Sequence, residues 1–193
     1  MCIPSRRSHE LAIARASLVR VECGGDSSGA VVGHCDDDAS LILTCAHAVA
    51  EDSVIEVFYE AGGKRTKLKA AISGRDIKLE LCLLRTVGRL DAPALGIAHS
   101  EPAPGELLAI AHCPNGRYGM ASVGEMQINH PPHRYYFTAP GIWMGSSGAP
   151  LTNHNGALVG VMREMEYDGQ TPIAGIGIAV SLRAIKRFLK GVS

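Results

Sequence analysis

Two short segments of this 193-residue chain carry the residue types needed to activate a hydroxyl group. The first is Gly145-Ser146-Ser147-Gly148-Ala149-Pro150. A serine hydroxyl is a weak nucleophile unless a base takes its proton and hydrogen-bond donors hold the oxyanion formed on its target. Gly145, two residues ahead of Ser147, permits a turn with φ values that other residues avoid. The amides of Gly145 and Ser147 can then converge on one point as an oxyanion hole. The alternative for the segment on its own is a plain turn into a strand. The second segment, Leu41-Ile42-Leu43-Thr44-Cys45-Ala46-His47-Ala48-Val49, is an apolar strand running into His47. A histidine at the end of a buried strand is rigidly held, and imidazole titrates near neutral pH, as a general base requires. A lone histidine would most simply be a core residue satisfied by the main chain. The serine motif downstream favours the base.

The elements that must hold these residues read as strands. Short apolar runs broken by turn residues occur at Ala16–Val21, Gly29–Val32, Ser40–Thr44, Val54–Tyr59, Lys67–Ile72 and Glu80–Arg85. A second set occurs at Glu106–Ala111, Met120–Ile128, Tyr135–Thr138, Ala149–Thr152, Ala157–Met162 and Ile173–Val180. Between the sets lies Ala98–Gly105, with two prolines and a glycine, which reads as a crossover between two lobes. The expectation is an all-β protein of two six-stranded antiparallel barrels, residues 16–98 and 105–181, within one domain covering 1–193. Closed barrels also remove exposed sheet edges. Ser181 is placed to cap a helix over Leu182–Lys190, with Leu182, Ile185, Phe188 and Leu189 on one face. That helix is expected to dock on the second barrel, its charges solvated.

Composition narrows the class. Hydrophobic residues make up 46% and charged residues 20%, with zero formal net charge, so neither nucleic acid nor an anionic membrane is an expected partner. No apolar stretch approaches the length of a membrane helix. Met1 to Arg15 is basic but lacks the apolar core of an export signal, so a cytoplasmic location is expected. Cysteines at 2, 23, 35, 45, 82 and 113 are irregularly spaced and read as free, mostly buried thiols. No metal or cofactor is implied. His34, Cys35, Cys45 and His47 match no usual zinc spacing. Asp36-Asp37-Asp38 reads as a polar hairpin tip, and His130-Pro131-Pro132-His133 as a turn.

With these residues in place, the chain resembles the trypsin-like serine proteases, most closely the HtrA-like bacterial branch. Ile42–Val49 resembles that branch's I-L-T-N-A-H-V-V, and Ser28-Gly29 its S-G-F. Leu108-Ala109-Ile110-Ala111 with Cys113-Pro114-Asn115-Gly116 resembles A-I-G-N-P-F-G, and Gly175–Val180 resembles G-I-G-F-A-I. The resemblance spans roughly Ala16 to Leu189 and covers a protease unit alone, without a PDZ-like second domain. It implies a chymotrypsin-like fold, a serine endopeptidase acting on protein or peptide substrates, and a catalytic triad with His47 and Ser147.

The third triad position departs from the pattern. The family places an aspartate before a strand of the type D-L-A-V-L; here the place reads Glu80-Leu81-Cys82-Leu83-Leu84. A glutamate is longer by one methylene, roughly 1.5 Å. It can still accept from the imidazole Nδ1–H, fixing the tautomer and stabilising the imidazolium. Asp76 is the other candidate, and a chain with no acid partner is the third. Ser146 stands where trypsin-type zymogens hold an aspartate, so activation by a freed amino terminus is not expected. Regulation would instead act by ordering the bulky loop Pro140–Met144, through a protein activator or regulator. The resemblance also places Gly141, Met144, Met162, Arg163 and Glu164 around the substrate pocket. Gly141 in place of trypsin's aspartate argues against cleavage after Arg or Lys, and Met162 argues against cleavage after Glu, leaving an apolar residue. Trp143 is expected either in the core or in the cleft. The competing class is a catalytically silent protease-fold binding module, for which the glutamate is the main support.

Overall fold

The computed structural model describes residues 6–50, 53–130 and 133–192. Helix α1 (Arg6–Ala16) precedes six strands: β1 (Leu18–Glu22), β2 (Asp26–His34), β3 (Ser40–Cys45), β4 (Ile55–Ala61), β5 (Lys64–Asp76) and β6 (Leu81–Thr86). Six more follow: β7 (Leu107–His112), β8 (Met120–His130), β9 (Arg134–Thr138), β10 (Pro150–Thr152), β11 (Leu158–Asp168) and β12 (Thr171–Ser181). Helix α2 (Leu182–Val192) closes the chain. Each expected strand is present. Pro131 and Pro132 of the expected turn between β8 and β9 lie outside the described residues.

Each set of six closes on itself, in the orders β1-β2-β3-β6-β5-β4 and β7-β8-β9-β12-β11-β10. The two orders are the same topology repeated, although the sequence shows no repeat. Alternation of inward apolar side chains fills each barrel. Val19, Val21, Ile42, Val57 and Leu84 pack inside the first, and Leu108, Ile110, Met126, Tyr135 and Phe137 inside the second. No helix among the described residues is long and apolar enough to cross a membrane.

Several expectations need correction. Ala16 ends α1 instead of starting a strand. That helix was not expected, because its sequence is largely basic and polar and only a narrow seam faces inward. Ala14 is fully buried against Leu18, Ala109, Ala111 and Cys113. Glu80 is not a strand residue: its φ of 62° puts it in the left-handed region, at the corner before β6. Helix α2 runs to Val192 and does more than sit on the second barrel. Ala184, Ile185 and Phe188 are buried together with Leu43, Leu81 and Leu83 of the first barrel and Leu158, Val161 and Val180 of the second. The helix start is held twice. The Ser181 hydroxyl accepts weakly from Ala184 N–H at 3.4 Å, as its capping position suggested. The crossover residue Glu101 accepts from Arg183 N–H at 2.8 Å and pairs with the Tyr135 hydroxyl.

Because α2 joins both barrels, Phe188→Ala should destabilise the whole protein by about 3–5 kcal/mol, the usual cost of emptying a buried phenylalanine site. Urea unfolding should show one transition at a lower midpoint. Two separated transitions would mean that the helix stabilises only one barrel.

Candidate active site

The first barrel brings His47 and Glu80 together, and the second presents Ser147 across the seam. Strand β3 ends at Cys45, and the chain turns so that His47 is half exposed beside the buried strand end. Glu80 immediately precedes β6, which pairs with β3 in the register Cys45↔Leu81. The left-handed conformation of Glu80 turns its side chain back onto the histidine. Its Oε1 accepts from the His47 main-chain N–H at 2.8 Å and meets His47 Nδ1 at 2.7 Å. With Nδ1 as the donor, Nε2 is left without a proton and can act as a base. Asp76 is occupied otherwise: its Oδ1 accepts from Leu79 N–H at 2.9 Å and starts the loop. Arg75, not singled out from the sequence, donates to the Ala46 carbonyl at 2.9 Å and braces the histidine corner.

The Ser147 segment is a tight turn that only glycine permits at two points. Gly145 has φ +91°, and a Cβ there would lie 2.6 Å from the Cys113 carbonyl oxygen. Gly148 has φ +86°, and a Cβ there would lie 1.9 Å from the Ser28 carbonyl oxygen. The turn closes through Ser146 N–H donating to the Trp143 carbonyl at 2.9 Å. Among the described residues, neither the Gly145 nor the Ser147 amide donates to a protein acceptor. Both therefore remain free to bind an oxyanion. The Ser147 hydroxyl donates to the Arg163 carbonyl at 3.0 Å.

Ser28 pins this turn to the first barrel. Its hydroxyl donates to the Gly145 carbonyl at 2.7 Å and accepts from Cys113 N–H at 2.9 Å. Its N–H donates to the Ser147 carbonyl at 2.8 Å. The resemblance had drawn attention to Ser28, but nothing local in the sequence marks it as a bridge. A further link is the Cys45 thiol, which donates to the Met162 carbonyl at 3.0 Å. Burial raises that thiol's pKa far above the ordinary value, with the Glu80 charge adding to the effect.

His47, Glu80 and Ser147 share a cavity of about 330 Å³. Trp143, Met144, Met162, Met165 and Tyr167 supply its apolar wall, so Trp143 faces the cleft. Arg163 and Glu164 also line it, paired with each other at 3.1 Å. Gly141 is not part of this wall: it occupies an exposed turn with φ +77° and nothing within 4 Å of a Cβ. The chain folds Ile142 into the second-barrel core instead, which carries Gly141 away from the cleft. Tyr167 was missed because it sits on the outer part of the β11–β12 hairpin, beyond the expected strand.

The residues weighed as a zinc site have other partners. His34 meets Ser40 Oγ at 3.0 Å and the Ala92 carbonyl at 2.9 Å, and Cys35 accepts from Arg85. Asp37 pairs with the same arginine. The five cysteines among the described residues are free, and Cys45, Cys82 and Cys113 are buried.

One buried histidine was not singled out from the sequence. His112, at the end of β7, has Nδ1 2.8 Å from the Ser146 hydroxyl oxygen. Burial lowers its pKa from 6.5 to about 4.

Two barrels of this topology, with a histidine–carboxylate pair on one and a serine in a glycine turn on the other, define a chymotrypsin-like serine protease fold. The family model for the trypsin-like peptidase domain matches residues 27–161, and the chain belongs to that family. Over 160 residues it is 26% identical to serine protease HTRA4 of Homo sapiens and 27% identical to serine protease HTRA1B of Danio rerio. Each match covers 77% of this chain and 32% of the relative, so the chain aligns with about a third of those proteins. Among solved structures, a serine endoprotease from Yersinia pestis superposes with a TM-score of 0.82 at 21% identity, covering 100% of this chain and 68% of that one. The active form of the Rv3671c protease from M. tuberculosis gives 0.80 at 20% identity, covering 95% and 84%.

Two outcomes follow from the site's construction. Ser28→Ala leaves the Gly145 carbonyl and the Cys113 N–H without their buried partner. It should cost about 2 kcal/mol in chemical denaturation; a loss below about 0.5 kcal/mol would mean that the bridge is dispensable. For His112, a lowered native pKa means that the unfolded chain binds more protons between pH 6.5 and 4. Its contribution is therefore complete above about pH 6.5 and is lost as pH falls toward 4, with a ceiling of about 3 kcal/mol. The stability difference between the native protein and His112→Asn should narrow over that window. A difference independent of pH would show that His112 is not buried in neutral form.

Proposed function

We propose that this chain is a serine endopeptidase that hydrolyses peptide bonds of protein substrates through an acyl-enzyme. The observation that carries the reading is the His47–Glu80 pair, placed in one cavity with Ser147, whose turn leaves two amides uncommitted. In this reading, an extended peptide enters the cleft between the barrels. Ser147 turns about its Cα–Cβ bond from the Arg163 carbonyl toward His47 Nε2. His47 takes the hydroxyl proton as Ser147 attacks the scissile carbonyl, and the Gly145 and Ser147 amides receive the oxyanion. His47 then protonates the leaving amine. A water, deprotonated by the same imidazole, releases the acyl group. Glu80 holds Nδ1–H and balances the charge on the imidazolium.

The apolar wall of the cavity favours an apolar residue before the scissile bond. The mutual pairing of Arg163 and Glu164 supports the same preference, since neither charge is then left to select an ionic side chain. The competing reading is a protease fold that binds peptides without cutting them. Its support is the bond of Ser147 to Arg163, in which the hydroxyl proton goes to a main-chain carbonyl and not to a base.

A fluorophosphonate separates the two. Intact mass should show a single adduct on the native protein and none on Ser147→Ala. Glu80→Gln keeps the side-chain length but loses the charge. It should lower kcat about 10³- to 10⁴-fold, by analogy with the loss of the triad acid in other serine proteases. No adduct on folded native protein would favour the binding reading.

A further inference from the structure

His112 and Ser146 form a buried pair one residue from the nucleophile that the proposed mechanism does not use. They are 1% and 0% exposed. The Ser146 oxygen accepts from Trp143 N–H at 3.1 Å. Its own proton is then available for Nδ1 of a neutral His112, 2.8 Å away. A hydroxyl that accepts once and donates once in a dry site has its needs met in a single orientation. The turn Trp143-Met144-Gly145-Ser146 is thus closed by its main chain and again by the Ser146 side chain, whose far partner is the end of β7.

The residues that follow His112 meet the same turn in order. The Cys113 carbonyl lies against the Gly145 α-carbon, where only glycine fits. Asn115 N–H donates to the Met144 carbonyl at 2.8 Å. The corner His112–Asn115 is a cradle for the segment that carries the two uncommitted amides, and His112 is its side-chain anchor. A hydrogen-bond donor helps an oxyanion only if it is already aimed before charge develops.

We infer that His112 is a positioning residue for the oxyanion hole: its imidazole orients the Ser146 hydroxyl, which holds the Trp143–Ser146 turn so that the Gly145 and Ser147 amides stay convergent. The inference rests on the proposed peptidase reading of this site. The role belongs to neutral imidazole, because a protonated ring would donate to the Ser146 oxygen and leave the hydroxyl proton to seek another buried acceptor.

The test compares His112→Phe, His112→Asn and Ser146→Ala with the native protein. Asparagine can place its carbonyl oxygen where Nδ1 stood; phenylalanine cannot accept a proton. With a chromogenic peptide, His112→Phe and Ser146→Ala should lose roughly 10- to 100-fold in kcat with KM changed less than about threefold. His112→Asn should recover most of that loss. Binding of a peptide boronate, which needs the hole, should weaken by about the same factor as kcat/KM. Trp143 is the only tryptophan in the chain and lies in the turn itself, so its fluorescence reads the geometry without turnover. Iodide quenching should change in His112→Phe and Ser146→Ala and stay near native in His112→Asn. If His112→Phe does not fold, Ser146→Ala, which removes one oxygen, carries the comparison. Native kcat and native Trp143 quenching in Ser146→Ala would overturn the inference. Absence of a fluorophosphonate adduct on the native protein would instead overturn the peptidase reading, and the quenching series would still decide whether His112 sets the turn.

Discussion

The site depends on a polar junction between the two barrels, beside which lie the Cys45–Met162 hydrogen bond and an apolar seam. Ser28, fully buried on β2, uses its hydroxyl and its amide to hold the carbonyls of Gly145 and Ser147. His47 and Glu80 belong to one barrel and Ser147 to the other, so a small slip of one barrel against the other would separate base from nucleophile. Apolar packing is not directional and would tolerate such a slip. Buried hydrogen bonds do not, because each broken one leaves an unsatisfied group in a dry interface. The close approach of Gly148 to the Ser28 carbonyl extends the same constraint, since a side chain there would force the barrels apart. Helix α2, packed on both barrels, adds the non-directional part.

The glutamate shows how backbone conformation absorbs a side-chain difference. Glu80 stands in the left-handed region, a costly place for a residue with a Cβ. The return is that one carboxylate oxygen accepts both the main-chain and the ring N–H of His47. Charge-assisted bonds of this kind are short and directional. The longer side chain is thus used to reach back from a corner instead of forward from a strand, and the imidazole is held in the tautomer with Nε2 facing the cleft.

The Ser147 turn is supported from three directions: Ser28 from the first barrel, His112 and Asn115 from the end of β7, and Met162 on β11, whose carbonyl accepts from Gly148 N–H at 2.7 Å. Ser147 lines the cavity, and its amide and that of Gly145 are left uncommitted. Trp143 and Met144 project from the same turn to the cavity wall. The shape of the substrate cleft and the aim of the amides are therefore properties of one segment.

Much of this was legible in the chain itself. Short apolar runs broken by turn residues mark the twelve strands, because strands packed on both faces, such as β3, β6 and β7, are apolar along their own few residues. The Gly-x-Ser-Gly turn is readable because its φ values exclude other residues. Helix α2 is readable because its cap and apolar face lie within a dozen residues. Tertiary structure decided what depends on distant partners. Ser28 and Gly145 are 117 residues apart in the chain, and His112 and Ser146 are 34 apart. Asp76 and Glu80 precede the same strand, and only the left-handed corner at Glu80 assigned one to the loop and the other to His47. Helix α1 escaped notice because its inward seam is narrow and its burial is supplied by β7. Sequence patterns report how each element divides its two faces between core and water. Which side chains then meet is settled only when the barrels close and dock, because that is when the polar groups they bury must find one another.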